Sequence, residues 1–308
     1  MQKQKKMKIL ITGASGFLGT NLCSILSKNK NIEITSLSSR DADLRNYNSL
    51  KKYEVEKFDK IYHLAAWTQA GDFSLYHSGE QWINNQLINS NVLSWWYENQ
   101  RQAKLISIGT SCSYSEGGSL EEKDYLNGNP IQSLYTYGMC KRMLFVGQQS
   151  LAKQFGMKFL TVVPSTLYGS NYNFSNKTPH FIFDIIIKII KGKKYNSKVE
   201  LWGDGNQKRE IVHVIDFVQQ MLEIENKVEN ELVNIGAGQE FKIKFFAELI
   251  CEILNFDHHK IIYNLDKYVG AKSKNLNINK KNKIIPDYKC VTLKEGLEET
   301  ISDLYGRL

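Results

Sequence analysis

Apolar and polar positions in the first half of the chain follow two alternating rhythms. Residues 9–11 form a short apolar run without alternation, which suits a strand buried on both faces of a parallel sheet. Gly13, Gly16 and Gly19 follow at a spacing of three, and Leu18, Leu22, Ile25 and Leu26 then recur at helical spacing. The chain therefore reads strand, tight turn, helix. Residues 32–37 and 60–66 read as two further strands, and residues 79–100 as a long helix. On that helix Trp82, Asn85, Asn89, Val92, Leu93 and Trp96 share a face, which is expected to pack and suggests a subunit interface. Residues 103–108 give a fourth strand, a helix begins near Leu134, and residues 157–163 give another strand. Repeated strand and helix predicts a parallel sheet covered on both faces.

The rhythm changes after residue 168. Residues 171–177 form a polar loop, 181–190 an amphipathic helix and 199–202 a short strand, and residues 209–214 are extended. Asp216 is placed to cap a helix running to Ile224, residues 232–235 form an apolar strand ending at Gly236, and residues 243–254 form a helix. The fold class expected is α/β: a Rossmann-like, doubly wound parallel sheet with a smaller C-terminal α/β substrate lobe. The expected division is 1–168 with a return at about 210–238 for the first domain, and 169–209 with 239–308 for the second.

Composition narrows the function classes. The 308 residues carry a net charge of +8. No Lys/Arg block is interleaved with aromatics, however, and Lys3, Lys5 and Lys6 read as a short solvated tail, so a small acidic ligand explains the balance without nucleic acid. Cys23, Cys112, Cys140, Cys251 and Cys290 are odd in number and lack CxxC pairing, which predicts reduced thiols and a cytoplasmic protein. No signal peptide or membrane span is expected: residues 8–10 already belong to the first strand, and Asp184 and Lys188 interrupt the most apolar later run.

The glycine turn aims backbone N–H groups and a helix N-terminus at one spot, which favours a pyrophosphate and predicts a dinucleotide site. The cofactor is NAD or NADP. At the end of the second strand Arg40 could hold a 2′-phosphate and Asp41 could serve NAD, and both readings stand. His63, at the end of the third strand, reads as a packed strand residue. Tyr137 and Lys141 stand four apart, one above the other on a helix. A tyrosine has a pKa near ~10, and a neighbouring ammonium is expected to lower it, making Tyr137 a general acid or base for an alcohol and carbonyl pair. Thr110, just beyond the fourth strand, could orient the same substrate oxygen.

Gly13-x-x-Gly16-x-x-Gly19, His63-Leu64-Ala65-Ala66, Thr110 and Tyr137-x-x-x-Lys141 resemble the motifs of the extended short-chain dehydrogenase/reductases over nearly the full chain. Within them the nearest resemblance is to the nucleotide-sugar branch, of the GDP-L-fucose synthase type. It is carried by residues 109–114, Leu167-Tyr168-Gly169, Asn173-Phe174, His180, and residues 199–205 followed by Arg209-Glu210. The resemblance implies a cofactor site of Gly13, Ser15, Gly16, Phe17, Leu18, Gly19, Arg40, Asp43, Leu44, Leu64, Ala65, Ala66, Asn85, Tyr137 and Lys141. It implies a GDP-sugar substrate bound by Asn173, Phe174, Trp202, Arg209 and Lys274, with Trp202 against the base and Arg209 and Lys274 on the diphosphate. A bidentate guanidinium suits phosphate oxygens. No metal is implied.

The expected activity is hydride transfer at C4 of the sugar, as a C4 dehydrogenase or a 4-keto reductase, in surface-polysaccharide sugar synthesis. Cys112 and His180 match the positions that move protons at C3 and C5 in the resembled enzymes, so a bifunctional 3,5-epimerase/4-reductase is the alternative. Thr166 stands where an asparagine is expected and Thr110 where serine is usual. Cys112 replaces the glutamate of the 4,6-dehydratases, which counts against dehydration. A reading of another class, a dinucleotide-binding regulator or scaffold, must explain an intact Thr110, Tyr137 and Lys141. By analogy a homo-oligomer is expected through helices near 80–100 and 135–155.

Overall fold

The computed structural model describes residues 5–70, 73–174, 178–267 and 272–308. Lys3 and residues 175–177 of the polar loop lie outside the described residues. In chain order the first elements are β1 (Met7–Thr12), α1 (Phe17–Leu26), β2 (Ile32–Leu37), β3 (Lys60–His63), α2 (Phe73–Tyr76), α3 (Ser78–Asn99), β4 (Lys104–Ile108), α4 (Tyr135–Phe155) and β5 (Phe159–Pro164). Then come β6 (Thr166–Tyr168), α5 (Phe181–Lys194), β7 (Val199–Trp202), β8 (Lys208–Arg209), β9 (Ile211–His213), α6 (Val214–Glu225) and β10 (Glu231–Ile235). The chain ends with β11 (Phe241–Lys242), α7 (Ile243–Leu254), β12 (Ile261–Asn264), α8 (Asn279–Ile284) and α9 (Leu293–Tyr305). Among the described residues no helix is long and apolar enough to cross a membrane.

The main sheet is six-stranded in the order β10-β5-β4-β3-β1-β2, with every neighbouring pair parallel. From β1 the chain steps outward to β2 and then back across to β3, so the direction of winding reverses beside β1. The crevice beyond the carboxyl ends of β1 and β3 is where such sheets bind ligands. Helices α3 and α4 cover one face through Ile88, Val92, Trp95, Trp96 and Phe145, and α1 and α6 cover the other through Leu22, Leu26, Phe217 and Met221. A third core joins α5, α7 and α9 to three two-stranded sheets, β6-β9, β7-β12 and β8-β11. Phe17 bridges to it: its ring stands edge-on to Tyr172 and Phe183 at 5.4 and 5.6 Å.

Two readings of the pattern need correction. The long helix exists, but Asn85, Asn89, Val92 and Trp96 are buried inside the protomer, so these four pack within the chain rather than at an interface. Apolar surface is exposed at Trp82, from the N-terminal end of that predicted face, and at Ile83 and Leu87. The apolar period locates a buried face without saying whether the same chain or a second copy covers it. Asp216 does not cap α6, because His213 holds the N-cap position. Asp216 lies inside the first turn, where its carboxylate accepts from Tyr288 Oη at 3.0 Å and Val291 N at 3.0 Å.

Candidate active site

The glycine turn forms from close backbone contact. Gly13 has φ +68°, and a Cβ there would lie 2.8 Å from Ala65 N, so it presses directly on the segment after β3. A Cβ on Gly19 would fall 2.3 Å from Gly13 O, whereas one on Gly16 would meet only Gly13 O, at 3.2 Å. Gly16 is the N-cap of α1 and no side chain caps that helix. Ser15 is exposed beside it, while Leu18 packs into the core against α6 and Phe17 against α5, so those two can offer a ligand chiefly their backbone.

Around the turn most expected cofactor residues are engaged in support. Asn85 Oδ1 accepts from Trp67 N at 2.9 Å and its Nδ2 donates to Trp67 O at 2.9 Å, pinning the strand end that carries Leu64, Ala65 and Ala66. Asp43 is paired with Arg45 at 2.8 Å, and Leu44 is buried. Asp41 Oδ2 accepts from Ser38 N at 2.8 Å and Ser38 Oγ at 2.6 Å, which holds its carboxyl below the usual range. Arg40 is exposed next to it. His63 is the packed residue expected, bonded to Thr12 Oγ1 at 2.9 Å and Asn89 Oδ1 at 3.2 Å. Burial and the Lys141 charge push its imidazole down to about 4, so it is neutral.

Tyr137 and Lys141 share a face of α4, with the ammonium 5.9 Å from the phenol ring centroid. Lys141 is buried, and among the described residues its Nζ has no hydrogen-bond or carboxylate partner. Burial pushes it down to about 8. The expected lowering of Tyr137 is not found. Burial pushes the phenol above its ordinary value and the neighbouring Cys112 and Tyr125 add to this, so it stays protonated at neutral pH. Thr110 is N-cap of a short turn and its Oγ1 accepts from Cys112 N at 3.2 Å, which leaves the hydroxyl hydrogen without a partner among the described residues.

The other expected residues converge only in part. Arg209 and Lys274 border one small cavity with Ser111 and Thr166. Lys274 Nζ lies 2.9 Å from Cys112 Sγ. His180 is the exposed N-cap of α5, and the surrounding protein and the Lys274 charge push its imidazole down. Trp202 is exposed, with Lys188 and Lys267 over its ring at 5.6 and 6.0 Å. Phe174 packs under the Arg307 guanidinium at 5.3 Å, and exposed Asn173 precedes it.

A family model described as the NAD dependent epimerase/dehydratase family matches residues 9–236. The chain belongs to that family. It is 26% identical over 303 residues to a GDP-L-fucose synthase of Dictyostelium discoideum, covering 96% of this chain and 94% of that protein. It is 27% identical over 280 residues to a GDP-L-colitose synthase of Yersinia pseudotuberculosis, covering 87% and 88%. Among solved structures, a GDP-6-OMe-4-keto-L-xylo-heptose reductase from C. jejuni superposes with a TM-score of 0.87 at 21% identity, covering 99% of each chain.

Members of the NAD dependent epimerase/dehydratase family use a nicotinamide dinucleotide, and the residues present fit one. The uncapped helix start above an open Gly16 suits a pyrophosphate, and the unpartnered Lys141 ammonium suits ribose hydroxyls. Two supports of this site were missed by sequence reasoning. Tyr125, fully buried, accepts from Thr110 N at 3.4 Å and Ser113 Oγ at 3.1 Å. Arg142, directly after Lys141 and buried, donates to Ser113 O at 2.9 Å, Asn127 O at 2.8 Å and Gly128 O at 2.6 Å, holding the loop that precedes α4. An arginine in a helix with no Asp or Glu nearby in sequence was the one available signal.

Proposed function

We propose that the protein reduces the C4 keto group of a GDP-linked sugar with NADPH. The observation that carries this is a phenol kept protonated, Tyr137, in the same crevice as an unpartnered buried ammonium, Lys141, and an unused hydroxyl hydrogen, that of Thr110. When bound, the dinucleotide supplies the hydride. Tyr137 donates its proton to the C4 oxygen, and Thr110 orients that oxygen through its O–H. Lys141 holds the ribose hydroxyls and stabilises the phenolate left behind. A proton donor that is loaded at neutral pH matches the proton that carbonyl reduction consumes. Relatives that act on GDP-linked sugars support the substrate class. NADP over NAD is supported by Arg40, which is exposed while the neighbouring Asp41 carboxylate is taken up by Ser38.

In this reading Arg209 and Lys274 receive the diphosphate and Trp202 the base, and the division is a dinucleotide domain of residues 1–168 with a return at 210–238 and a nucleotide-sugar lobe formed by the rest. Five free thiols support a reducing, cytoplasmic setting. Exposed Ile83 and Leu87 on α3 and Met143 on α4 support a homo-oligomer through these helices.

A second reading adds C3/C5 epimerisation, favoured by the placement of Cys112 against Lys274 with His180 in the same charge field. One experiment tests both. GDP-4-keto sugars are offered with NADPH in deuterated water. Reduction at C4 that is lost in Tyr137→Phe, with NADPH binding retained, is expected. Deuterium at C3 or C5, lost in Cys112→Ser, would establish the second reading. NADPH binding without oxidation by any GDP-4-keto sugar would reject the first.

A further inference from the structure

Glu210 follows Arg209 in the chain, borders the same cavity and is 2% exposed. Its two oxygens reach two distant segments: one accepts from Gly238 N at 2.7 Å, the other from Leu276 N at 2.9 Å. A Cβ on Gly236 would fall 2.3 Å from the first oxygen, so the carboxylate lies flat against the chain leaving β10. Leu276 is two residues beyond Lys274, whose own N–H donates to Glu240 Oε2 at 3.3 Å. One carboxylate therefore joins the segments bearing Arg209 and Lys274 to the end of the main sheet.

We propose that Glu210 is a positioning residue that sets the spacing of Arg209 and Lys274 for the diphosphate of the sugar nucleotide, and that its protonation loosens this grip. The proposal rests on the reading of this cleft as a GDP-sugar site. Backbone amide donors on both oxygens match a carboxylate, whereas a protonated oxygen is itself a donor and faces an amide badly. Among the described residues the hydrogen-bond partners of Glu210 are backbone amides. Glu240 and Lys281 interact electrostatically with it, and Arg209 and Lys274 border the same cavity. Burial, with Glu240 in the same sense, holds the carboxyl up at about 7 against the pull of the amides. The change therefore falls within a measurable range. His180 would act in the opposite sense, because its protonation adds positive charge near Lys274 and strengthens anion binding.

Calorimetry of GDP-mannose binding to the NADPH-loaded enzyme tests this on the unmodified protein. Affinity is expected to weaken by up to about tenfold from about pH 8 to about pH 6, the limit for a site that needs a group of that pKa ionised. Glu210→Gln is expected to bind weakly at every pH, with KM raised about tenfold, kcat at saturation within about twofold and NADPH affinity unchanged. Wild-type affinity that is constant or rises as pH falls overturns the proposal, as does a Gln variant with wild-type affinity at about pH 8 or with a loss confined to kcat. Arg209→Ala separates this from the reading beneath it. If that variant keeps full affinity, the GDP-sugar reading of the cleft fails and the proposal with it. If Arg209→Ala loses affinity and Glu210→Gln does not, only the role of Glu210 fails.

Discussion

Lys141 shows how far one residue's chemistry depends on its surroundings. A buried ammonium whose pKa is pushed down to about 8 destabilises the unliganded fold whenever it is charged. The sign follows from proton binding: the unfolded chain, with a lysine pKa near ~10.4, holds the proton more tightly than the folded one. The penalty is fully present below about pH 8 and fades as pH rises towards ~10.4. Lys141→Met should therefore be more stable than the wild type at pH ~7 in the absence of cofactor, by about 3 kcal/mol, with the gap closing by pH ~10. Denaturant melts of both proteins across that range check it. If Lys141 holds the ribose as proposed, the same substitution should weaken binding of the nicotinamide dinucleotide, so stability and function move in opposite directions.

At the scale of elements, the turn between β1 and α1 separates packing from binding. Gly19→Ala forces a Cβ to 2.3 Å from Gly13 O, so it should destabilise the turn by about 2 to 4 kcal/mol, read as a lowered denaturation midpoint. Gly16→Ala meets backbone only at 3.2 Å and should leave the midpoint nearly unchanged while weakening binding of the nicotinamide dinucleotide, because the added methyl occupies the approach to the helix start. Helix α4 depends on a different device. Arg142 fixes four carbonyls of the preceding loop, those of Ser113, Leu126, Asn127 and Gly128, so Arg142→Met leaves them without their charged donor and should cost at least about 3 kcal/mol. Because the loop also carries Thr110 and Cys112, kcat should fall in the surviving folded fraction, which active-site titration would separate from lost protein.

For the whole molecule, the exposed apolar positions on α3 give the last prediction. Leu87→Glu combined with Ile83→Glu should convert an oligomer to monomer in sedimentation without lowering the melting midpoint, since neither residue contributes to the protomer core. A monomeric wild type would remove the basis for it. Much of the architecture was legible in the chain. Unbroken apolar runs identify the buried parallel strands, the glycine spacing locates the turn between β1 and α1, and the four-residue spacing puts Tyr137 and Lys141 on one face of α4, because these are local periodicities set by backbone geometry. What local pattern cannot carry is which distant segments meet. Only the tertiary structure decides that the Trp96 face of α3 is interior, that Asp216 serves the segment at Tyr288 and Val291, and that Lys274 reaches Cys112. It also decides that burial keeps Tyr137 protonated, and that Glu210 binds Gly238 and Leu276, because desolvation and amide contacts depend on neighbours far away in sequence.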